Sequence, residues 1–350
     1  MSGTSFDGVD AALIKTDGKD YIEFINSEFL PFSKKEKTLY KVSVLKNYNF
    51  LTKAIDKRHI EVIKKLLSKT NIKNSHIDLI GLHGQTLFHK PEQKWSWQYI
   101  NIKKFNKEFR TNIISDFRLN DVNNGGEGAP LVPIYHSKII KKFIKRNPIA
   151  IINVGGVSNV TIVKSDGSFL GFDIGPGNGP LDTIVSNKTN LDYDAEGKIS
   201  KKGKVHHDIS TKIILEIEKL VSKRSYDRRV LDEICYKKTM NMKIEDALAT
   251  IINSITEIAF KKISIFNLDK IVLVGGGRKN LTLKMFLNNK FKDIVISAEE
   301  LGWEGDSIEA QAFAYLAVRC YLGLNITFPQ TTGIKTPMSG GVLHNYTVIN

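Results

Sequence analysis

The chain has 350 residues, more than one hydrophobic core usually sustains, so two domains of roughly 150 to 200 residues each are expected, and its 41% hydrophobic content is enough for packed cores. Its 51 basic and 37 acidic side chains give a net charge of +14, but the lysines fall in short runs (Lys34-Lys35, Lys103-Lys104, Lys201-Lys202) among Ile and Asn, not among stacking aromatics, which argues against nucleic acid as a partner. Cys235 and Cys320 stand far apart outside any CxxC or Cys/His cluster, no apolar run approaches the roughly 18 residues of a membrane span, and the N-terminus lacks a basic region followed by an apolar one; these features point away from a disulfide framework, a zinc site, a membrane partner and an export signal, and fit a reducing cytoplasm.

Taken in chain order, residues 9–16 are strand-like, and Asp17-Gly18 reads as a hairpin turn into a second strand over 21–25. Helical spacing of apolar residues covers 51–67, and a buried strand over 78–82 runs into His83-Gly84-Gln85-Thr86. A short strand over 113–115 precedes Asp116, and the glycine density of 123–130 demands a loop. The second half restarts the pattern with strands over 149–154, 160–163 and 169–172, ending at Asp173. A helix over 244–258 follows, with Glu245-Asp246 at its start and Lys261-Lys262 at its end matching the helix dipole. A strand over 271–274 leads to Gly275-Gly276-Gly277, a last helix spans about 307–322, and Pro329 and Pro337 suggest an irregular tail. The expected division is 1–137 and 138–322, with the tail 323–350 packing back on the first lobe. The fold class is α/β.

Three glycine turns carry the chemistry. Gly3, Thr4, Ser5, Phe6, Asp7, Gly8, Val9 and Asp10 form a turn whose amides and hydroxyls suit a phosphate chain; its acids make sense with a magnesium ion or its water shell between, which makes Asp7 the metal candidate. Asp173 ends an apolar run over Gly175-Pro176-Gly177-Asn178, where a carboxylate can orient a nucleophile and take its proton; a turn-capping or metal-water role is the alternative. Gly275, Gly276 and Gly277 can admit an adenine or ribose close to the backbone. His83, Gln85, Arg118, Asp121 and Asn153 lie beside strand ends or glycine loops and suit a polyhydroxylated, sugar-sized ligand, and Glu309 near the start of the last helix is a further sugar contact. Together these turns read as a phosphotransferase that binds a nucleotide triphosphate between two similar lobes.

Several stretches resemble the anhydro-N-acetylmuramic acid kinase family: Met1-Ser-Gly-Thr-Ser-Phe-Asp-Gly-Val-Asp10, Gly84-Gln85-Thr86, Ser115-Asp116-Phe117-Arg118 through Asp121, Gly125-Gly126-Glu127-Gly128-Ala-Pro-Leu-Val-Pro133, Asn153-Val-Gly-Gly-Val-Ser-Asn159, Asp173-Ile-Gly-Pro-Gly-Asn178, Glu245-Asp-Ala-Leu-Ala-Thr250 and Gly275-Gly-Gly277. The resemblance spans nearly the whole chain with the motifs in order. It implies an actin-like two-domain ATPase fold of the sugar-kinase kind with a nucleotide cleft between its lobes. The implied reaction belongs to cell-wall recycling: ATP, magnesium and water convert 1,6-anhydro-N-acetylmuramic acid to N-acetylmuramic acid 6-phosphate and ADP. The family's catalytic base falls on Asp173 and its ATP-binding stretch on residues 3–10, and its members are homodimers whose lobes close over substrate. Two departures stand out. The family carries apolar residues before the Met-Ser-Gly-Thr-Ser motif, so either the start codon lies further upstream or the first strand lacks its first part; and Gln98-Tyr99-Ile100-Asn101 replaces the family's Gln-Ile-Gly-Asp. A kinase for an intact amino sugar, and a nucleotide-binding regulator without turnover, are the competing readings.

Overall fold

In the computed structural model, which describes residues 1–3, 6–42, 48–220 and 226–346, the chain divides into two units, Met1–Ile139 with Ser307–Asn350, and Ile140–Asp306. The first unit opens with an antiparallel hairpin of β1 (Gly8–Thr16) and β2 (Ile22–Pro31). Strand β2 is longer than the 21–25 segment expected, because its second half continues as a half-exposed strand of mixed polar and apolar residues that lacks the run of apolar side chains by which a buried strand is read. Gly8 is required by packing: a Cβ there would lie 2.4 Å from the Phe29 ring on the partner strand.

Helices α1 (Lys34–Val42) and α2 (Tyr48–Thr70) follow, and α2 lays Leu51, Ile55, Val62, Leu66 and Leu67 into the unit. Strand β3 (Leu79–Leu82) leads into the hairpin β4 (Gln85–Lys90) and β5 (Trp95–Tyr99), then α3 (Ile102–Phe109), β6 (Asn112–Ser115), α4 (Leu119–Asn123) and α5 (Pro133–Ile140). The departure at 98–101 has a local purpose here. Asn101 caps α3 through its side chain to the Lys104 N–H, and its own N–H donates to Asp56.

The second unit is built on a five-stranded sheet. Strands β7 (Ile149–Val154), β8 (Val157–Val163) and β9 (Phe169–Pro176) are antiparallel neighbours, followed by α6 (Asn178–Lys188), α7 (His207–Glu218), α8 (Arg228–Thr239) and α9 (Ile244–Ile263). Strand β10 (Lys270–Val274) pairs in parallel with β7; α10 (Leu281–Phe291) then leads to β11 (Val295–Ser297), parallel to β10, which gives the order β11-β10-β7-β8-β9. Alternation puts Ala150, Ile152 and Val154 of β7 and Val160 and Ile162 of β8 into one core with Leu248, Ile251, Ile255 and Ile258 of α9.

The chain ends in the first unit with α11 (Ile308–Tyr321) and β12 (Val342–His344), which pairs antiparallel with β6. The expected division gave the last helix to the second lobe. Instead, α11 packs on β1 and β3: Gly81 brings β3 so close that a Cβ would sit 2.7 Å from the Phe313 carbonyl, and Tyr315 and Arg319 donate to the carbonyls of Lys19 and Gly18 in the β1–β2 turn. Strand β6 joins β3 in parallel, while β1 and β3 belong to separate sheets. A cavity of about 650 Å³ runs between them, lined largely by apolar side chains of β1, β3, α2 and α11.

Leu248 on α9 has no exposed surface, so Leu248→Ala should destabilise the second unit by about 2–5 kcal/mol in urea unfolding. Ile265→Ala, at a side chain 78% exposed, should stay within about 0.5 kcal/mol.

Candidate active site

Two reversals of direction, from β7 to β8 and from β8 to β9, leave β9 running the same way as β7, and β10 also runs parallel to β7. The carboxyl ends of β7, β9 and β10 therefore lie along one edge of the sheet, and each continues into a glycine turn: Gly155-Gly156, Gly175-Pro176-Gly177 and Gly275-Gly276-Gly277. Ligands of open α/β sheets bind outside such strand ends. The turns are tied together, with Asn178 N–H donating to Gly155 O at 2.7 Å and the Asn178 side chain donating to Val154 O at 3.2 Å.

The register refines this. Val274 pairs with Asn153, Asn153 with Asn159, and Asn159 with Asp173, so one row across the sheet joins the triple glycine to the candidate base. Asn153, Asn159 and Asp173 are all half-buried, and they alternate with core residues on their strands. Adjacent strands are about 4.8 Å apart, so Asp173 stands about 10 Å from Asn153 along the row. Ile174 is an extra residue on β9, since Ser158 pairs with Gly175 while Asn159 pairs with Asp173; a bulge beside a functional side chain re-aims it.

The three glycines of the last turn differ. Gly275 has φ of +73° and lies against Asn153, whose Oδ1 would be 2.1 Å from a Cβ, whereas at Gly276 a Cβ would meet only the Asn178 amide at 3.6 Å. Gly276 is thus the position of this turn open to close approach by a ligand. Behind it, Arg278 is buried and donates to Gly275 O, Glu299 and Asp306. Burial opposes ionisation of Asp306, but its bonds to Arg278 and Lys279 outweigh that and hold its carboxyl down at about 2. Nothing in the periodicity of the sequence marks Arg278, and it was missed.

Asp173 accepts from the Tyr226 N–H at 2.8 Å. Lys262, on the last turn of α9, donates to the Asp173 carbonyl at 3.1 Å and to the Tyr226 hydroxyl at 3.0 Å. The sequence assigned Lys262 to the helix dipole, and these two bonds give it a specific place as well.

In the first unit, Thr4 and Ser5 lie outside the described residues, and the rest of the turn shows its supports. The Met1 amino group donates to Asp10 O and the Asp10 N–H to Met1 O, both at 2.8 Å; Gln85 donates from Nε2 to Gly3 O at 3.1 Å. The Gln85 Oε1 is buried with no hydrogen-bond partner among the described residues. The side chains of Phe6 and Val9 are core groups, Phe6 stacking on Phe32 with centroids 3.9 Å apart, so any contact these two make with a ligand is confined to the backbone. Asp7 is exposed, 3.9 Å from Lys37.

The sugar candidates of this unit form a chain of contacts. Burial first, and the Arg118 guanidinium second, hold the His83 ring well below the usual histidine pKa. The neutral ring donates from Nδ1 to Gly84 O and accepts at Nε2 from Arg118 Nε at 3.0 Å, and Arg118 also donates to Gly128 O. Burial pushes the Glu309 carboxyl upward, against the pull of Arg118 and the Met1 amino group. Asp121 accepts from Gly128 N–H and from the Thr332 hydroxyl, which makes it the anchor of the 125–128 loop. Asn153, grouped with these residues in the sequence, belongs to the second unit beside Gly275.

Glycine turns at parallel strand ends, with a carboxylate on the same row, define an α/β protein with a candidate ligand site at the ends of its strands. A family model described as anhydro-N-acetylmuramic acid kinase matches residues 1–346. Proteins named anhydro-N-acetylmuramic acid kinase from Zymomonas mobilis, Pelagibacter ubique and Bradyrhizobium diazoefficiens are 36%, 34% and 32% identical to this chain, covering 98% of it and 98%, 96% and 97% of their own lengths. Among solved structures, the activator of 2-hydroxyisocaproyl-CoA dehydratase from Clostridium difficile with bound ADPNP has a TM-score of 0.48 and 16% identity over 90% of this chain and 91% of that one. The chain belongs to the anhydro-N-acetylmuramic acid kinase family.

Four histidines of the first unit, His59, His83, His89 and His136, are held below their usual pKa chiefly by burial, His59 and His136 at about 3. Between that value and 6.5 the unfolded chain binds protons that the folded one refuses, so stability falls as pH drops. Each of His59 and His136 should cost about 2 kcal/mol between pH 7 and pH 5. Urea unfolding at the two pH values measures this, and an unchanged midpoint would contradict the buried, neutral state.

Proposed function

We propose that this chain is an ATP-dependent kinase that opens 1,6-anhydro-N-acetylmuramic acid with water and phosphorylates it to N-acetylmuramic acid 6-phosphate. The observation that carries the reading is the row Val274-Asn153-Asn159-Asp173, which sets a carboxylate beside three converging glycine turns. Asp173 takes a proton from water as the water oxygen bonds to the anomeric carbon. The bond from that carbon to the bridging oxygen breaks, and the released oxygen attacks the γ-phosphorus of ATP, displacing ADP. Water must be aimed at carbon and the sugar oxygen at phosphorus, so positioning supplies much of the rate.

Gly276 admits the nucleotide near the backbone, and the turn at 3–10 receives phosphate. Asp7 fits a magnesium ion held through water: it is a single exposed carboxylate on a glycine turn, and Mg²⁺ keeps most of its water when phosphates supply the remaining ligands. When bound, the ion would neutralise charge on the phosphates. Arg118 and Glu309, linked through their charges, with neutral His83 and the orphan Gln85 Oε1, offer donors and acceptors of the kind sugar hydroxyl and acetamido groups need.

The test is the product formed from 1,6-anhydro-N-acetylmuramic acid, ATP and magnesium. A mass gain of one phosphate and one water is expected, whereas phosphate alone would identify a kinase for an intact ring, and no ADP release would sink both. Asp173→Asn should lower kcat by about 10²–10⁴-fold while ATP still binds, as measured by calorimetry.

A further inference from the structure

Among the described residues Asp173 sits on the edge strand of its sheet. Two residues from different elements reach it there. Tyr226, just before α8, gives its backbone N–H to Asp173 Oδ2 at 2.8 Å, and its ring packs against the core of the unit. Lys262 reaches from α9 to the Asp173 carbonyl at 3.1 Å and the Tyr226 hydroxyl at 3.0 Å, with its ammonium 4.8 Å from the centre of the Tyr226 ring. Its neighbour Lys261 pairs with Glu218, and Lys290 with Glu257, while Lys262 is half-buried and makes no carboxylate pair among the described residues. A half-buried ammonium that spends its donors on a carbonyl and a phenol is costly unless its charge is used.

We propose that Lys262 and Tyr226 are positioning residues for Asp173. Lys262 pins both the backbone of Asp173 and the Tyr226 side chain to α9, and Tyr226 in turn presents its N–H to the carboxylate. The N–H donor and the nearby positive charge both favour the ionised carboxylate, the form able to take a proton from the nucleophile. The same links steady the residue next to the Ile174 bulge, where the ladder is interrupted. Among the described residues, the charged and titratable groups packed against this end of β9 include Lys262 on α9, the Tyr226 phenol, and Arg228 and Asp232 on α8, paired at 3.3 Å, with Asp227 capping that helix. Strand β8 opposite contributes the uncharged Asn159.

The inference rests on Asp173 being the base, and the experiment separates the two. With the full chain, ATP and 1,6-anhydro-N-acetylmuramic acid, kcat, KM for ATP, the pH profile of kcat and the melting temperature are measured for Lys262→Met, Lys262→Arg, Tyr226→Phe and Asp173→Asn. Lys262→Met should lose about tenfold or more in kcat with KM for ATP within about twofold, and should move the acid limb of the profile to higher pH; Lys262→Arg should recover most of the loss. Tyr226→Phe keeps the N–H and the ring and removes only the phenol that Lys262 grips, so it should show a smaller loss in the same direction and serves if Lys262→Met does not fold. An unmoved acid limb in Lys262→Met or, should that variant not fold, in Tyr226→Phe, beside an inactive Asp173→Asn, overturns the positioning role and leaves the base in place. A fall in kcat that Arg does not recover, with the acid limb unmoved, assigns Lys262 a purely structural part and also overturns it. Full activity in Asp173→Asn removes the base itself, and the proposal with it.

Discussion

The parallel pairing of β10 on β7 is the constraint on which the second unit's candidate site depends. It fixes Val274 opposite Asn153, and since β8 folds back between β7 and β9, it also fixes which residue of β9 falls on that row. A slip of one residue in any of these pairings would turn Asn153, Asn159 or Asp173 into the apolar core and bring an isoleucine, valine or phenylalanine to the site. The core resists the slip, because Ile152, Val154, Val160 and Ile162 are buried to within a few percent and pack into one cluster with the apolar face of α9. Register and chemistry are therefore held by the same apolar side chains.

Behind the last turn, charge does what packing does in the sheet. Arg278 is almost fully buried and meets two carboxylates and a backbone carbonyl of the glycine turn. Its planar fork of donors can satisfy three acceptors in different directions at once, which a lysine could not do. The first unit uses the opposite device around its own turn: histidines kept neutral by burial serve as hydrogen-bond donors and acceptors in an interior where a second positive charge beside Arg118 would be repelled.

Much of this was legible in the sequence where local signals are strong. The strands ending at Val154 and Val274 are short apolar runs closed by glycines, and α9 declares itself by its apolar stripe and its charged ends. What was hidden depends on contacts between residues distant in the chain. The last helix was assigned to the wrong unit because its own periodicity says only that one face is apolar; the close approach at Gly81, which seats it on β3, lies more than 200 residues away. Lys262 looked like a dipole partner because its helix position is all that sequence reveals, and its contacts with Asp173 and Tyr226 exist only once β9 is beside α9. Asn101 shows the reverse: a residue that departs from the family pattern is explained by a helix cap within the same few residues.

The cavity between β1 and β3 carries a further consequence. Among the described residues β1 has a sheet partner on one side only, and beyond the pair that Met1 makes with Asp10 the other side of β1 borders a space lined mainly by hydrocarbon. Edge groups of this kind need partners, and the alanine, isoleucine and phenylalanine side chains that line the cavity can supply none. Met1 and Ser2 close one end of that space, Met1 on Asp10 and Ser2 bridging to Gln85, and they lead directly into Gly3. The phosphate-turn candidate thus follows directly on two residues that are tied to β1 and β4, so its placement depends on that short join as well as on the turn's own sequence.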